Sequence, residues 1–198
     1  MKKPAIIIFI KNPELGKAKT RLASTVGDER ALAIYKELLR HTRETVLKIE
    51  NCERHLFYSS FVDKEDDWSN DSFNKKLQPS GDLGNRITTA FEDVFKTNQP
   101  VLIVGSDCAS LTAEILEEAI ESLKIFDFVI GPADDGGYYL IGMNDFQPSV
   151  FEDIAWSTEQ VLPQTINKIQ ELGKNFGLLA TLSDIDYEED WKKWGWEF

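Results

Sequence analysis

A chain of 198 residues with 42% hydrophobic content, twelve Phe and five Trp can bury one sizeable core, and it reads as a single domain over residues 1–198. Its formal net charge of −12 argues against nucleic acid or an anionic membrane surface as the main partner, because both require a basic face. No run approaches the roughly 18 apolar residues of a membrane span, no signal peptide is visible, and Cys52 and Cys108 lack zinc or redox spacing, so a cytoplasmic protein with reduced thiols is expected.

The elements alternate along the chain. "AIIIFI" at residues 5–10 reads as a strand, and Ala31, Ile34, Leu38, Leu39, Thr42, Val46 and Ile49 recur at helical spacing after it. "HLFYSS" is a strand candidate, and the polar stretch "VDKEDDWSNDSFNKK" reads as a surface loop. In "NRITTAFEDVFK", Ile87, Phe91, Val94 and Phe95 share one helical face, while "VLIVGSD" opens with an apolar strand of the type buried on both sides of a parallel sheet. Thr112 is placed to cap "AEILEEAIESL", "FDFVIGP" follows as a strand, and "YYLIGM" reads as another, antiparallel or at an edge. "STEQVLPQTINKIQEL" has a helical pattern with Pro163 in or near its first turn, and "FGLLATL" supplies the last strand. This alternation predicts an α/β protein, a sheet covered by helices.

In such sheets ligands collect at the carboxyl ends of strands, and three of the loops expected there are chemically unusual. The first, "KNPELGKAKTRL", packs Lys11, Lys17, Lys19 and Arg21 into eleven positions but lacks the P-loop pattern, since Gly16-Lys17 is followed by Ala18. The second, "GSDCASLT", places Asp107 at a strand end, where a carboxylate can hold Mg²⁺ or Mn²⁺ against a phosphate or simply form a turn. In the third, "GPADDGGYYLIG", Asp134 and Asp135 run into Gly136-Gly137, a pattern that suits either a close backbone approach to a ligand or a hairpin turn. Near the C-terminus Asp184 and Asp186 are alternate residues, on one side of an extended segment. His41 and His55 have no nucleophile partner in the pattern, so covalent catalysis is not expected.

Taken together, "FIKNPELGKAKTRL", "QPSGDLGNRITTAF", "VGSDCASLT", "GPADDGGYYLIG", "WSTEQVL" and "SDIDYEEDW" resemble the bacterial rSAM/selenodomain-associated transferase 1 family over nearly the whole chain. More distantly, "AKTRL" and "DID" are similar to features of 2-phospho-lactate guanylyltransferase. The resemblance implies a three-layer α/β/α GT-A fold, that of nucleotide-diphospho-sugar transferases, with a mostly parallel mixed sheet. It also implies a glycosyltransferase-like enzyme that uses a nucleotide or nucleotide sugar and a small-molecule acceptor. Two alternatives stay open: a nucleotidyltransferase that releases pyrophosphate, and a nucleotide-binding module without turnover.

Carried onto this sequence, the resemblance makes Lys19, Arg21 and Asp107 catalytic, with Lys11 and Lys17 beside the phosphates. Asp82, Gly84 and Arg86 line the nucleotide side, and Asp135, Gly136 and Gly137 form the substrate wall. A Mg²⁺ or Mn²⁺ ion is assigned to Asp107 with Asp184 and Asp186. Ala109 stands where the family usually shows Pro, and Asp107 is not part of a DxD pattern. Homo-oligomerisation is left open by the sequence.

Overall fold

The computed structural model describes residues 2–198. A seven-stranded sheet of order β3-β2-β1-β4-β6-β5-β7 forms its centre, with β1 Ala5–Ile10, β2 Glu53–Tyr58, β3 Asn74–Leu77, β4 Val101–Val104, β5 Phe128–Pro132, β6 Tyr138–Met143 and β7 Phe176–Leu178. Every strand but β6 runs in one direction. β6 turns back from β5 through a tight hairpin and lies between β4 and β5, so it is antiparallel, as expected, but interior rather than at an edge.

The continuous apolar character of β1 follows from burial on both faces. Ile6, Ile8 and Ile10 pack under α1 (Thr20–Val26), α2 (Asp28–Leu47) and α4 (Ala113–Ser122) through Leu22, Ile34, Leu38 and Leu116. The alternate residues Ala5 and Ile7 meet Ile87, Phe91 and Ile169 of α3 (Leu83–Phe95) and α5 (Val161–Glu171) on the other face. Two-residue periodicity thus divides one strand between two cores and produces the three layers. A short C-terminal helix, α6 (Glu188–Trp194), lies against α1, and Trp191 and Trp196 pack onto the first core.

Local signals account for the helix ends. Thr112 caps α4 by accepting a hydrogen bond from the Ile115 amide at 3.4 Å. Pro163 occupies the third position of α5, where a missing N–H costs no intrahelical bond. The polar stretch after β2 is only partly a surface loop. Trp68 and Phe73 are buried beneath it in an edge-on pair, and its last residues form β3, so two aromatics among many acids anchor the segment. Among the described residues no helix is long and apolar enough to cross a membrane.

Candidate active-site cleft

The carboxyl ends of β1 and β4 open into a cleft of about 700 Å³, closed on one side by α3 and on the other by the β5–β6 hairpin and the residues before α5. Its basic rim is the β1–α1 loop. Asn12, buried at the base of this loop, fixes it to the end of β2: its Oδ1 accepts from the Ser60 amide at 2.9 Å and its Nδ2 donates to the Phe61 carbonyl at 2.9 Å. Lys19 ends the loop in the left-handed conformation, φ 51° and ψ 48°, immediately before α1. That geometry is disfavoured for a residue with a Cβ, and it turns the Lys19 side chain inward.

The Lys19 side chain is 6% exposed, and its Nζ stands 3.0 Å from Asp107 Oδ1 and 3.5 Å from Asp186 Oδ1. Arg21 reaches the other oxygen of Asp186 at 2.9 Å from the solvent side. Burial alone would lower the Lys19 pKa, but the Asp107 and Asp186 carboxylates outweigh it and hold the ammonium above its ordinary value. Lys11 lines the cleft as well, through a side chain exposed to solvent. Lys17 does not, because it points outward and pairs with Glu14 at 2.5 Å.

Asp107 follows β4 and is joined to the C-terminal segment by backbone pairing. The Ile185 amide donates to the Asp107 carbonyl at 2.9 Å, and Cys108 bridges Asp184 in antiparallel fashion. This pairing brings Asp184 and Asp186 to the carboxyl edge of the sheet although they lie far along the chain from Asp107. Asp184 is the more enclosed of the two, and burial, followed by repulsion from Asp107, pushes its pKa up to about 7. The neighbouring Cys108 thiol is pushed up to about 12, mainly by burial and then by Asp184, which makes it a poor nucleophile.

On the opposite wall, Asp135 and Gly137 line the cleft and Gly136 does not. Asp135 Oδ1 accepts from the Gly137 amide at 2.9 Å and shapes the hairpin turn. Gly136 has φ +86°, and a Cβ there would come within 2.5 Å of the Glu159 backbone, so packing as well as turn geometry requires glycine. Asp134 accepts a hydrogen bond from Ser183, and its amide donates to the Leu182 carbonyl at 3.0 Å, which fixes the hairpin to the segment carrying Asp184. The turn and substrate-wall readings of this motif therefore apply to different residues within it.

The α3 side also departs from expectation. Asp82 caps α3 by accepting from the Asn85 amide at 2.8 Å, and Gly84 makes room for Trp156, whose Nε1 would lie 2.6 Å from an added Cβ. Neither residue lines the cleft, whereas Arg86 does, donating from Nη1 to Gln78 Oε1 at 3.3 Å. Gln78 in turn donates to the carbonyls of Ile10 and Phe57 at 3.0 and 3.1 Å, closing the ends of β1 and β2.

Among the further lining residues, Tyr35 carries no sequence signal of its own, whereas Tyr138, Trp156 and Ser157 belong to the "GPADDGGYYLIG" and "WSTEQVL" stretches. Tyr35, on α2, is buried, and its hydroxyl accepts from the Lys11 amide at 2.9 Å, donates to the Lys11 carbonyl at 3.0 Å and lies 3.3 Å from Ser106 Oγ. It ties the basic loop to the loop that carries Asp107. Burial, then the Asp107 charge, raises its pKa far above the ordinary phenol value, so it acts as a neutral hydrogen-bonding group. Tyr138 and Trp156, which meet edge-on, and the positive-φ residue Ser157 complete the far wall.

Hard carboxylate oxygens suit Mg²⁺ or Mn²⁺, and the Lys19 ammonium already stands as a cation between two of them. Among the described residues no group of three or more His, Cys, Asp or Glu side chains stands close enough to hold a metal ion. That arrangement still fits Mg²⁺, which commonly takes one or two carboxylates and fills the rest of its octahedron with substrate phosphates and water.

Comparison with known proteins agrees with this architecture. Residues 42–158 match a sequence family described as "Uncharacterized protein conserved in bacteria (DUF2064)". A Desulfovibrio desulfuricans G20 protein, provisionally named a nucleotide-diphospho-sugar transferase, is 30% identical with a TM-score of 0.87, over 94% of this chain and 84% of that one. The inositol-1-phosphate CTP transferase of T. maritima shares the fold at 14% identity and TM-score 0.61, over 96% of this chain and 91% of its own. So does the 4-diphosphocytidyl-2C-methyl-D-erythritol synthase of Anaerococcus prevotii DSM 20548, at 13% identity and TM-score 0.60, over 98% and 95%. No functionally curated protein matches the chain.

Proposed function

The chain belongs to that bacterial family, DUF2064, and from its cleft we propose a metal-dependent transferase that acts on a nucleotide-activated substrate, with glycosyl transfer from a nucleotide-diphospho-sugar as the leading reaction. The observation that carries this reading is the buried Lys19 ammonium between Asp107 and Asp186, at the carboxyl edge of the sheet and flanked by Lys11 and Arg21. Four cations, Lys11, Lys19, Arg21 and Arg86, face four carboxylates, Asp107, Asp135, Asp184 and Asp186, around the cleft, so the lining is formally neutral when all are ionised. One divalent ion would bring it to a formal +2, the complement of a nucleoside diphosphate sugar, whose diphosphate carries about −2. The resemblance to rSAM/selenodomain-associated transferases and the name given to the Desulfovibrio relative point the same way.

In this reading Asp107, with Asp184 or Asp186, would hold Mg²⁺ or Mn²⁺, and the ion would supply charge neutralisation to the diphosphate. Lys11, Lys19 and Arg21 bind the phosphate oxygens and stabilise the nucleoside diphosphate as it leaves. Arg86 and Gln78 face the nucleoside. An acceptor hydroxyl attacks the anomeric carbon, the bond from that carbon to the diphosphate oxygen breaks, and the hydroxyl proton passes to Asp135 or to solvent. Positioning and charge stabilisation carry such a reaction, so no protein nucleophile is needed.

A second reading, nucleotidyl transfer with pyrophosphate as leaving group, is favoured by the cation-rich β1–α1 loop, which suits a longer phosphate chain. It is also supported by the fold relatives, among them a CMP-2-keto-3-deoxy-manno-octonic acid synthetase complexed with CTP. Asp107→Asn tests the shared core of both readings. Metal-dependent binding of a nucleotide sugar or nucleoside triphosphate, measured by calorimetry, should weaken at least tenfold; unchanged binding would remove Asp107 from the metal site. Metal-dependent binding without release of either leaving group would favour a non-catalytic module.

A further inference from the structure

We propose that the Lys19 ammonium is an exchangeable internal cation: in the metal-free protein it occupies the place of the divalent ion between Asp107 and Asp186, and it withdraws toward the substrate phosphates when a metal arrives. The inference rests on the transferase reading above and concerns how its metal and phosphate sites are coupled.

Three features of the site lead to this. The ammonium bridges carboxylates from separate segments, the β4–α4 loop and the extended segment before α6, at 3.0 and 3.5 Å. Those are hydrogen-bonding and ion-pair distances, longer than the 2.0–2.1 Å of Mg²⁺ to oxygen, so the ammonium stands between the two Oδ1 atoms as a cation with longer contacts than the metal would make. Exposure is also asymmetric. The Lys19 side chain is 6% exposed, while Asp107 and Asp186 are 45% and 40% exposed, so a metal can reach the carboxylates from the cleft without passing through protein. Finally, the backbone bridge between Asp184 and Cys108 places a third carboxyl group in the cleft lining beside Asp107 and Asp186, and Lys19 and Arg21 are the cations paired with this group of acids.

A divalent ion placed between the same two Oδ1 atoms as the ammonium would be repelled by it, steeply so in a partly desolvated site. Lys19 has a flexible four-carbon stem, so its head can move while its left-handed backbone stays fixed. Metal entry thus releases the ammonium to a phosphate, and phosphate binding draws it from the carboxylates. Each ligand strengthens the other by the same factor, as linkage requires.

Mn²⁺ alone serves as the probe, titrated into the full chain and followed by electron paramagnetic resonance. Lys19→Met should bind Mn²⁺ at least tenfold more tightly than the unmodified protein. Lys19→Arg, which keeps the charge, should bind no more tightly than the unmodified protein. Arg21→Met removes the same charge from the solvent side of Asp186 and should change affinity less than threefold. Equal tightening in Lys19→Met and Arg21→Met would reduce the effect to general electrostatics and overturn the proposal, as would unchanged or weaker binding by Lys19→Met.

A second measurement needs no variant. Acetylation of Lys19 in the unmodified protein, read by mass spectrometry against exposed Lys17, should rise when Mg²⁺ is added, because the ammonium leaves its carboxylates. Unchanged or reduced labelling would overturn the exchange. No nucleotide enters either experiment, so Mn²⁺ binding without the Lys19 effect defeats this inference alone. Absence of Mn²⁺ binding in every form defeats the metal dependence of the transferase reading as well.

Discussion

Asp184→Asn should make the metal-free protein more stable at pH 8 while weakening its metal-dependent ligand binding. Burial and the Asp107 charge raise the Asp184 pKa from 3.8 to about 7. The folded state therefore holds this proton more tightly than the unfolded chain does. The resulting stabilisation is fully present below pH 3.8 and is lost as pH rises through about 7. At about 1.4 kcal/mol per pKa unit, a rise of roughly three units corresponds to about 4 kcal/mol, and partial solvent contact of the side chain reduces this to about 2 kcal/mol. Asparagine is nearly isosteric with the protonated acid and does not titrate. Urea unfolding in the presence of a chelator should show the two proteins close in stability near pH 4. At pH 8 Asp184→Asn should be the more stable by about 2 kcal/mol. A gap independent of pH, or a less stable Asp184→Asn protein at pH 8, would show that the Asp184 carboxylate is stabilised by Lys19 in the folded state and would refute the reasoning.

Tyr35→Phe removes the hydroxyl that joins Lys11 to Ser106; it should cost about 1 kcal/mol in urea unfolding and speed hydrogen exchange at the Lys11 amide, and unchanged exchange would show that the loop is held elsewhere. Asp82→Ala should cost about 1 kcal/mol of stability through loss of the α3 cap while leaving ligand affinity unchanged in calorimetry, since Asp82 lies outside the cleft lining. Gly136→Ala should lower the melting temperature by several degrees, because its φ is +86° and a Cβ would meet the Glu159 backbone; a melting temperature within a degree of the unmodified protein would contradict that packing.

How much of this was legible in the sequence depended on whether the cause was local. β1 announced burial on two faces by unbroken apolarity, Asp107 stood at a strand end where α/β folds present ligands, and Thr112 capped its helix through a neighbouring amide. The basic loop was visible as a cluster of charge, but the separation of Lys19 from Lys17 turns on a single left-handed residue, which charge counting cannot register. Tyr35 falls within the apolar helical pattern of α2, and only the meeting of two loops over its hydroxyl gives it a role at the site. Asp82 and Gly84 carry familiar motif residues whose nearest partners, Asn85 and Trp156, make them structural. The interior place of β6 follows from long-range pairing with β4 and β5, for which strand composition holds no signal.

The central claim is most directly tested by calorimetric titration of the unmodified protein with nucleotide sugars and with the four nucleoside triphosphates, each with and without Mg²⁺ or Mn²⁺. The account predicts metal-dependent binding at least tenfold tighter than binding without metal, with a nucleotide sugar preferred. Tighter binding of a triphosphate would move the reaction to nucleotidyl transfer. Binding of neither ligand, or binding indifferent to metal, would contradict the account.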